Sequence, residues 1–265
     1  MERQAAKAAQ TGVAAVDRAI AILQAVAKGQ GPSSLSDLAR TTGLYKSTIL
    51  RLLESLEAAE LVVRDDDSQY TLGSSVFGLG LAYERAHPLG KVVLPFLEQL
   101  VHAGTESASL HIRHNATARI CLLRVDSKHS TLDRVQAGDI LPVDRGAAGR
   151  VLAAYDVPLT RAGARIRTEC FAVSMGERDP ACAGLASPIF GPHGSIRGAL
   201  SLSGPKERFT TAAIEKMRGL LLNAAMSVTR QLGGEYPATV DPDTTRSSSS
   251  RQQSKGKAGR PHTLV

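Results

Sequence analysis

The sequence predicts an α+β protein of two domains: an N-terminal winged helix-turn-helix, a linker helix, then an antiparallel sheet with helices. Three observations carry this. Residues 35–56, LSDLARTTGLYKSTILRLLESL, hold two apolar-periodic segments broken at a Gly. Directly after them, LVVRDDDSQYTL reads as strand, turn, strand. Beyond residue 88, apolar runs such as Ile120-Cys121-Leu122-Leu123 and Leu185–Phe190 alternate with helical stretches around turn signals.

Taking the elements in order, residues 1–12 are polar and predicted disordered. Val16, Ala19, Ile20, Leu23 and Val26 form one amphipathic helix, closed by Gly29 and Pro32. Leu35, Leu38 and Ala39 form the next, with Ser34 or Ser36 able to cap its free amides. Thr41-Thr42-Gly43 stops it, because Gly accepts the left-handed backbone of a tight turn. In the third helix Ile49, Leu52, Leu53 and Leu56 share one face. Lys46, Ser47, Arg51, Glu54 and Ser55 lie opposite, with Thr48 at the edge. Two such helices alone could be an ordinary hairpin with a solvated face. The flanking helix and the hairpin that follows, a wing, argue instead for a second helix that enters the major groove of DNA. The residues expected to contact bases and phosphates are Ser36, Tyr45, Lys46, Ser47, Thr48 and Arg51, with Arg64, Gln69 and Tyr70 from the wing.

The organisation that follows is 13–72 for the winged domain, 73–87 for the linker helix, 88–235 for the second domain and 236–265 for a disordered basic tail. The linker carries Val76, Phe77, Leu79, Leu81 and Tyr83, too wide an apolar stripe for a solvated helix. It is expected to bury one face on a second copy, giving a homodimer or dimer of dimers, or else on its own second domain. His87-Pro88 marks the boundary, since a residue before Pro is pushed out of helical geometry. A helix is expected from Pro95 to Gly104, then strands at 107–113, 118–125 and 131–137 and a helix at 146–155. Leu185–Phe190 and Ile196–Ser203 flank a hairpin turn, and a long helix capped by Thr210 ends at Gly233-Gly234.

Composition narrows the class. With 265 residues and 43% apolar content, two modest cores are feasible. No leader-like apolar stretch and no run of 18 apolar residues is present, so a cytoplasmic protein without a membrane partner is expected. Three scattered cysteines match neither a disulfide framework nor a zinc pattern. The net charge of +7 is unevenly spread: −1 over residues 1–87, +5 over 88–235 and +3 over 236–265. Bulk charge therefore does not argue for DNA; the placement of individual side chains does.

No catalytic site, metal site or cofactor is expected. His111 and His114, three apart on a strand, point to opposite faces and cannot share an ion. Ser201 and Ser203 share one face, but no base and orienting acid are identifiable for them. Asp126, Asp133 and Asp139 read as solvated residues at turns and strand edges. Arg145-Gly146-Ala147-Ala148-Gly149-Arg150 lacks the spacing of a nucleotide cradle. Its small residues instead let backbone amides at a helix start approach a ligand anion. An enzyme of sensor-domain fold, and a DNA-binding protein with no effector, are the two alternatives kept open.

Four blocks also carry a family resemblance: VDRAIAILQAVA, then LARTTGLYKSTILRLLESLEAAELV ending in the YTLG of the wing, then LPVDRGAAGRVLAAY, then GLASPIFGPHGSIRGALSLSGPKERFT. In this order and spacing the chain resembles the IclR family of bacterial transcription regulators from about Val13 to Gly234. The resemblance implies a GAF-like effector-binding second domain whose pocket is lined by the small-residue stretch and the strand before the last helix. Carried over, Ala147 and Ala148 would offer backbone amides and Ser201 and Ser203 hydroxyls. Glu177 or Asp179 matches an acidic position, and Gly184 stands where many members have Cys. Asp144 and Gly146 replace a frequent His and Ser. The expected partners are double-stranded operator DNA and a small organic-acid or aromatic-catabolite effector.

Overall fold

The computed structural model describes residues 12–29, 31–156 and 160–237. Expectations for the first eleven residues, and for the tail beyond 237, lie outside the described residues. The chain divides into two compact units between Pro88 and Leu89.

In the first unit, helices α1 (Ala14–Lys28), α2 (Leu35–Thr42) and α3 (Lys46–Ala58) precede a hairpin of β1 (Val62–Arg64) and β2 (Tyr70–Leu72). Their core is Ile22, Val26, Leu38, Ile49, Leu53, Val62 and Tyr70. Ser34 starts α2 with a reciprocal capping box: its Oγ accepts from the Asp37 amide at 3.1 Å, while the Asp37 carboxylate accepts from the Ser34 amide. The Ser34 hydroxyl, which donates to the Asp37 carboxylate at 2.6 Å, then the Ser34 amide and the Arg40 guanidinium, hold the Asp37 carboxyl below its usual range. Gly43 ends the helix at φ +68°, as a tight turn requires. The hairpin is fastened from behind as well, because Ser33 and Tyr70 exchange both backbone hydrogen bonds at 2.9 Å.

The inward face of α1 is rotated from the expected one. Ile22, Ala25 and Val26 are buried, whereas Val16 and Ile20 are about half exposed. The helices α2 and α3 cover only the arc centred on Ile22 and Val26, so Val13, Val16 and Ile20 form a second, outward apolar stripe. The helix α4 (Ser74–Ala86) buries none of its residues. Its Phe77 is 71% exposed and Leu79 63%.

In the second unit, α5 (Leu89–His102) leads into β3 (Ser107–Arg113), β4 (Ala118–Val125) and β5 (Ile140–Pro142). Then come α6 (Ala147–Ala153), α7 (Arg161–Glu169), β6 (Ala172–Met175), β7 (Cys182–Phe190), β8 (Ile196–Pro205) and α8 (Thr211–Gln231). The six strands form one antiparallel sheet in the order β5-β4-β3-β8-β7-β6. Helices α5 and α8 pack on one face through Val93, Leu97, Leu221 and Val228, against Leu110, Leu185, Leu200 and Leu202. The other face meets α6 and α7 through Ala148, Val151 and Ile166, against Ala172, Ala186 and Ala199. Thr210 caps α8, its Oγ1 accepting from the Ala213 amide.

Two expectations are corrected here, and two elements are added. Helix α5 begins six residues before Pro95, which lies in its interior. Burial of Leu89 and Val93 in the sheet core outweighs the one backbone bond Pro cannot donate. Residues 131–137 are not a strand. The inward turn of Asp133 and Val135 follows from ion pairing of Asp133, not from a ladder, and β4 pairs with β5 instead. Helix α7 and strand β6, absent from the sequence reading, complete the cover and edge of the sheet.

Candidate functional site

On the first unit, the outward face of α3 holds Lys46, Ser47 and Arg51 exposed, Thr48 half-buried at the edge, and Leu50 exposed beside them. Tyr45 precedes the helix in extended conformation and is 85% exposed. Lys46 Nζ donates to Ser36 Oγ at 2.9 Å, so the starts of α2 and α3 present one joined polar edge. In the hairpin, exposed Arg64 donates to Ser68 Oγ at 2.7 Å with its guanidinium over the Tyr70 ring. Gln69 is half-buried, and Asp65 closes the turn by accepting its amide at 2.7 Å. Asp65, Asp66 and Asp67 are all exposed at the hairpin tip. Tyr70 corrects the sequence reading: its side chain is 2% exposed and fills the helical core, so it props the wing from inside and offers no outward surface.

On the second unit, a small cavity of about 40 Å³ with an open mouth lies on the α6 side of the sheet. Ala147, Ala148, Asp179, Gly184, Ser201 and Ser203 all line it, though they come from four separate segments. Glu177 does not line it. Its carboxylate accepts from the Gly146 amide at 3.2 Å and from Arg150 Nη1 at 3.0 Å, which pins the loop ahead of α6. The amides of Ala147 and Ala148 fall in the first turn of α6, which has no preceding carbonyls to bond within the helix.

The sequence reading missed the most strongly charged part of the lining. Arg119, Asp133, Arg178 and His111 all reach the cavity. Asp133, its side chain fully buried, accepts from Arg124 Nη2 at 2.5 Å and from Arg178 Nη2 at 3.2 Å, so it is no solvated turn residue. Burial, reinforced by Arg119, Arg124 and Arg178, lowers the His111 pKa to about 3 and keeps the ring neutral. Burial likewise pushes the Cys121 thiol, on the strand position paired with His111, up to about 11. The sequence carries no local signal for them: Arg119 and Cys121 alternate with apolar neighbours on β4 as a solvated strand face would, and only burial shows that they point inward. Among the described residues no group of His, Cys, Asp and Glu could hold a metal ion. No described helix is long and apolar enough to cross a membrane.

Comparison with known proteins places both units. Residues 15–66 match the IclR helix-turn-helix domain, and residues 158–230 match the bacterial transcriptional regulator IclR C-terminal domain. The HTH-type transcriptional repressor AllR of Salmonella typhi is 28% identical over 260 residues, 88% of this chain and 95% of that protein. The chain belongs to the IclR family. Its solved structures share the fold of this regulator. One from a Silicibacter species has a TM-score of 0.69 at 25% identity, covering 84% of this chain and 98% of that one. An IclR homolog from Microbacterium hydrocarbonoxydans, complexed with 4-hydroxybenzoate, has a TM-score of 0.69 at 20% identity over 83% and 99%. This IclR protein is therefore a transcriptional regulator with a DNA-binding winged helix-turn-helix and a C-terminal effector-binding domain.

Proposed function

We propose that this IclR regulator binds operator DNA through α3 and changes its affinity when a small organic acid occupies the cavity beside α6. The observation that carries the reading is the convergence of Ala147, Ala148, Asp179, Gly184, Ser201 and Ser203 on one cavity from distant parts of the chain. Backbone amides and hydroxyls there can hold a carboxylate. The 4-hydroxybenzoate bound by the Microbacterium homolog is a carboxylic acid, and AllR is a repressor. Lys46, Ser47, Thr48 and Arg51, with Ser36, Tyr45, Arg64 and Gln69 around them, supply the base and phosphate contacts.

Gel-shift titration on the operator tests both halves. Arg51→Ala weakens specific binding by about 1–3 kcal/mol while the domain stays folded. Ala148→Leu fills the cavity and abolishes the acid's effect on operator affinity. Unchanged affinity in the first variant, or an intact response in the second, overturns the corresponding half. A protein that binds the operator identically with and without every acid tried is a DNA-binding protein with no effector.

The exposed Phe77, Leu79 and Leu81 of α4 are assigned to a contact between two copies, since a single winged helix reads few base pairs. Phe77→Glu lowers the oligomeric state and operator affinity together. A monomer in light scattering of the unmodified protein refutes this assignment.

A further inference from the structure

Arg119 is a buried cation with one anchored edge and one open edge. It is 3% exposed. Its Nη1 is fixed to the backbone, donating to the carbonyls of Pro142 and Arg145. A Cβ at position 149 would sit 2.7 Å from that Nη1 and 2.5 Å from the Val143 carbonyl oxygen, so Gly149 makes the room the guanidinium occupies. The other edge is unengaged. Nε is buried with no hydrogen-bond partner, and Nη2, which lies beside Gly146 of the cavity lining, makes none among the described residues. No carboxylate forms an ion pair with Arg119 among the described residues. Arg124 and Arg178, by contrast, both hold Asp133. In the lining of the same cavity, on the neighbouring strand, His111 Nδ1 is a second buried atom without a partner.

We propose that the Nε–Nη2 edge of Arg119 is the docking point for the carboxylate of the effector, with His111 Nδ1 donating to the same anion. The inference rests on the reading of this cavity as the effector site and assigns its charge-recognising residue. Two parallel N–H bonds along one edge of a guanidinium match the two oxygens of a carboxylate, and a neutral isostere offers only one acceptor. An unpaired buried cation is costly in the empty protein, and a bound carboxylate supplies the missing partner. Burial, and then the nearby Arg178, lower the Arg119 pKa to about 10, so it stays charged near neutrality. Asp144 favours that charge from nearby without pairing to it. Asp133 is already shared by two arginines and Asp179 also faces the cavity, so the site takes a monoanion with a single carboxylate.

Thermal unfolding of the full chain tests this with acetate, lactate, pyruvate and 4-hydroxybenzoate, each compared with its amide. At least one acid raises the melting temperature of the unmodified protein while its amide does not. Arg119→Met abolishes that shift. Arg119→Lys keeps the charge but not the paired edge, and weakens the same acid about tenfold in calorimetric titration. The Lys variant also decides the matter if Met at 119 prevents folding. An acid-dependent shift that survives Arg119→Met, or full affinity in Arg119→Lys, overturns the assignment. If Ala148→Leu abolishes the shift while Arg119→Met keeps it, the cavity remains the effector site and Arg119 is not its anion anchor. If none of the acids shifts the unmodified protein, both readings fall.

Discussion

On the face of the six-stranded sheet covered by α5 and α8, the strands offer Ala108, Leu110, Leu185, Leu200 and Leu202. On the opposite face, toward α6 and α7, the same strands offer Ser109, His111, Cys121, Ser201 and Ser203, all but the last of them buried. The first face gains about 25 cal/mol for each Å² of apolar area removed from water. The second buries hydroxyls, a histidine and arginines, and leaves Ser109 Oγ, His111 Nδ1 and Arg119 Nε without partners. One face holds the domain together, and the other gives up part of that stability to bury the polar groups of the proposed effector site.

The contrast can be broken at its strongest point, the buried ion pairs of the polar face. Asp133→Ala leaves Arg178 without its carboxylate and Arg124 with only the exposed Asp126. The expected loss is about 4 kcal/mol in urea unfolding; a loss below about 1 kcal/mol would mean that these charges are solvated after all. On the apolar face, Leu200→Ala costs about 3 kcal/mol through lost burial and the cavity left behind. Its acid-dependent melting shift stays intact, because Leu200 points away from the ligand side. A variant that lost that shift would show the two faces to be coupled.

The smallest of the three effects depends on pH and belongs to the polar face alone. His111 has a folded pKa near 3, below its ordinary value of 6.5, so the unfolded chain binds its proton first. The stability it leaves intact is fully present above about pH 6.5 and falls away as pH drops toward 3. At pH 5 the loss is about 2 kcal/mol. His111→Gln flattens that part of the pH–stability curve, and an unchanged slope in the variant would assign it elsewhere.

What could be read in the sequence follows the same division. The cap at Ser34, the stop at Gly43 and the apolar face of α3 are local features, set by residues a few positions apart, and the strands 107–113 and 118–125 announce themselves by composition. The polar face is a different matter. Ser109, His111 and Arg119 alternate with apolar neighbours just as a solvated strand face does. Only the cover of α6 and α7 makes them interior, and α7 (RAGARIRTE) has too few apolar residues to be recognised as a cover. Likewise Asp133 looks like a turn residue until Arg124 and Arg178 arrive from distant segments. Ala147, Ala148, Ser201 and Ser203 were reached through family resemblance, whereas Arg119 had no such guide.

The three exposed aspartates at the tip of the hairpin, Asp65 to Asp67, bear on the affinity for any duplex, whatever its sequence. Wherever that tip nears a duplex, it meets about one phosphate charge for every 1.7 Å of helix axis and is repelled. Repulsion of this kind acts on every sequence alike, while the base contacts proposed for α3 depend on sequence. Ionic strength then works in opposite senses on the two elements: salt shields the aspartates as it weakens the phosphate contacts proposed for Lys46 and Arg51, and the expected net salt dependence is shallower than the basic residues alone would set.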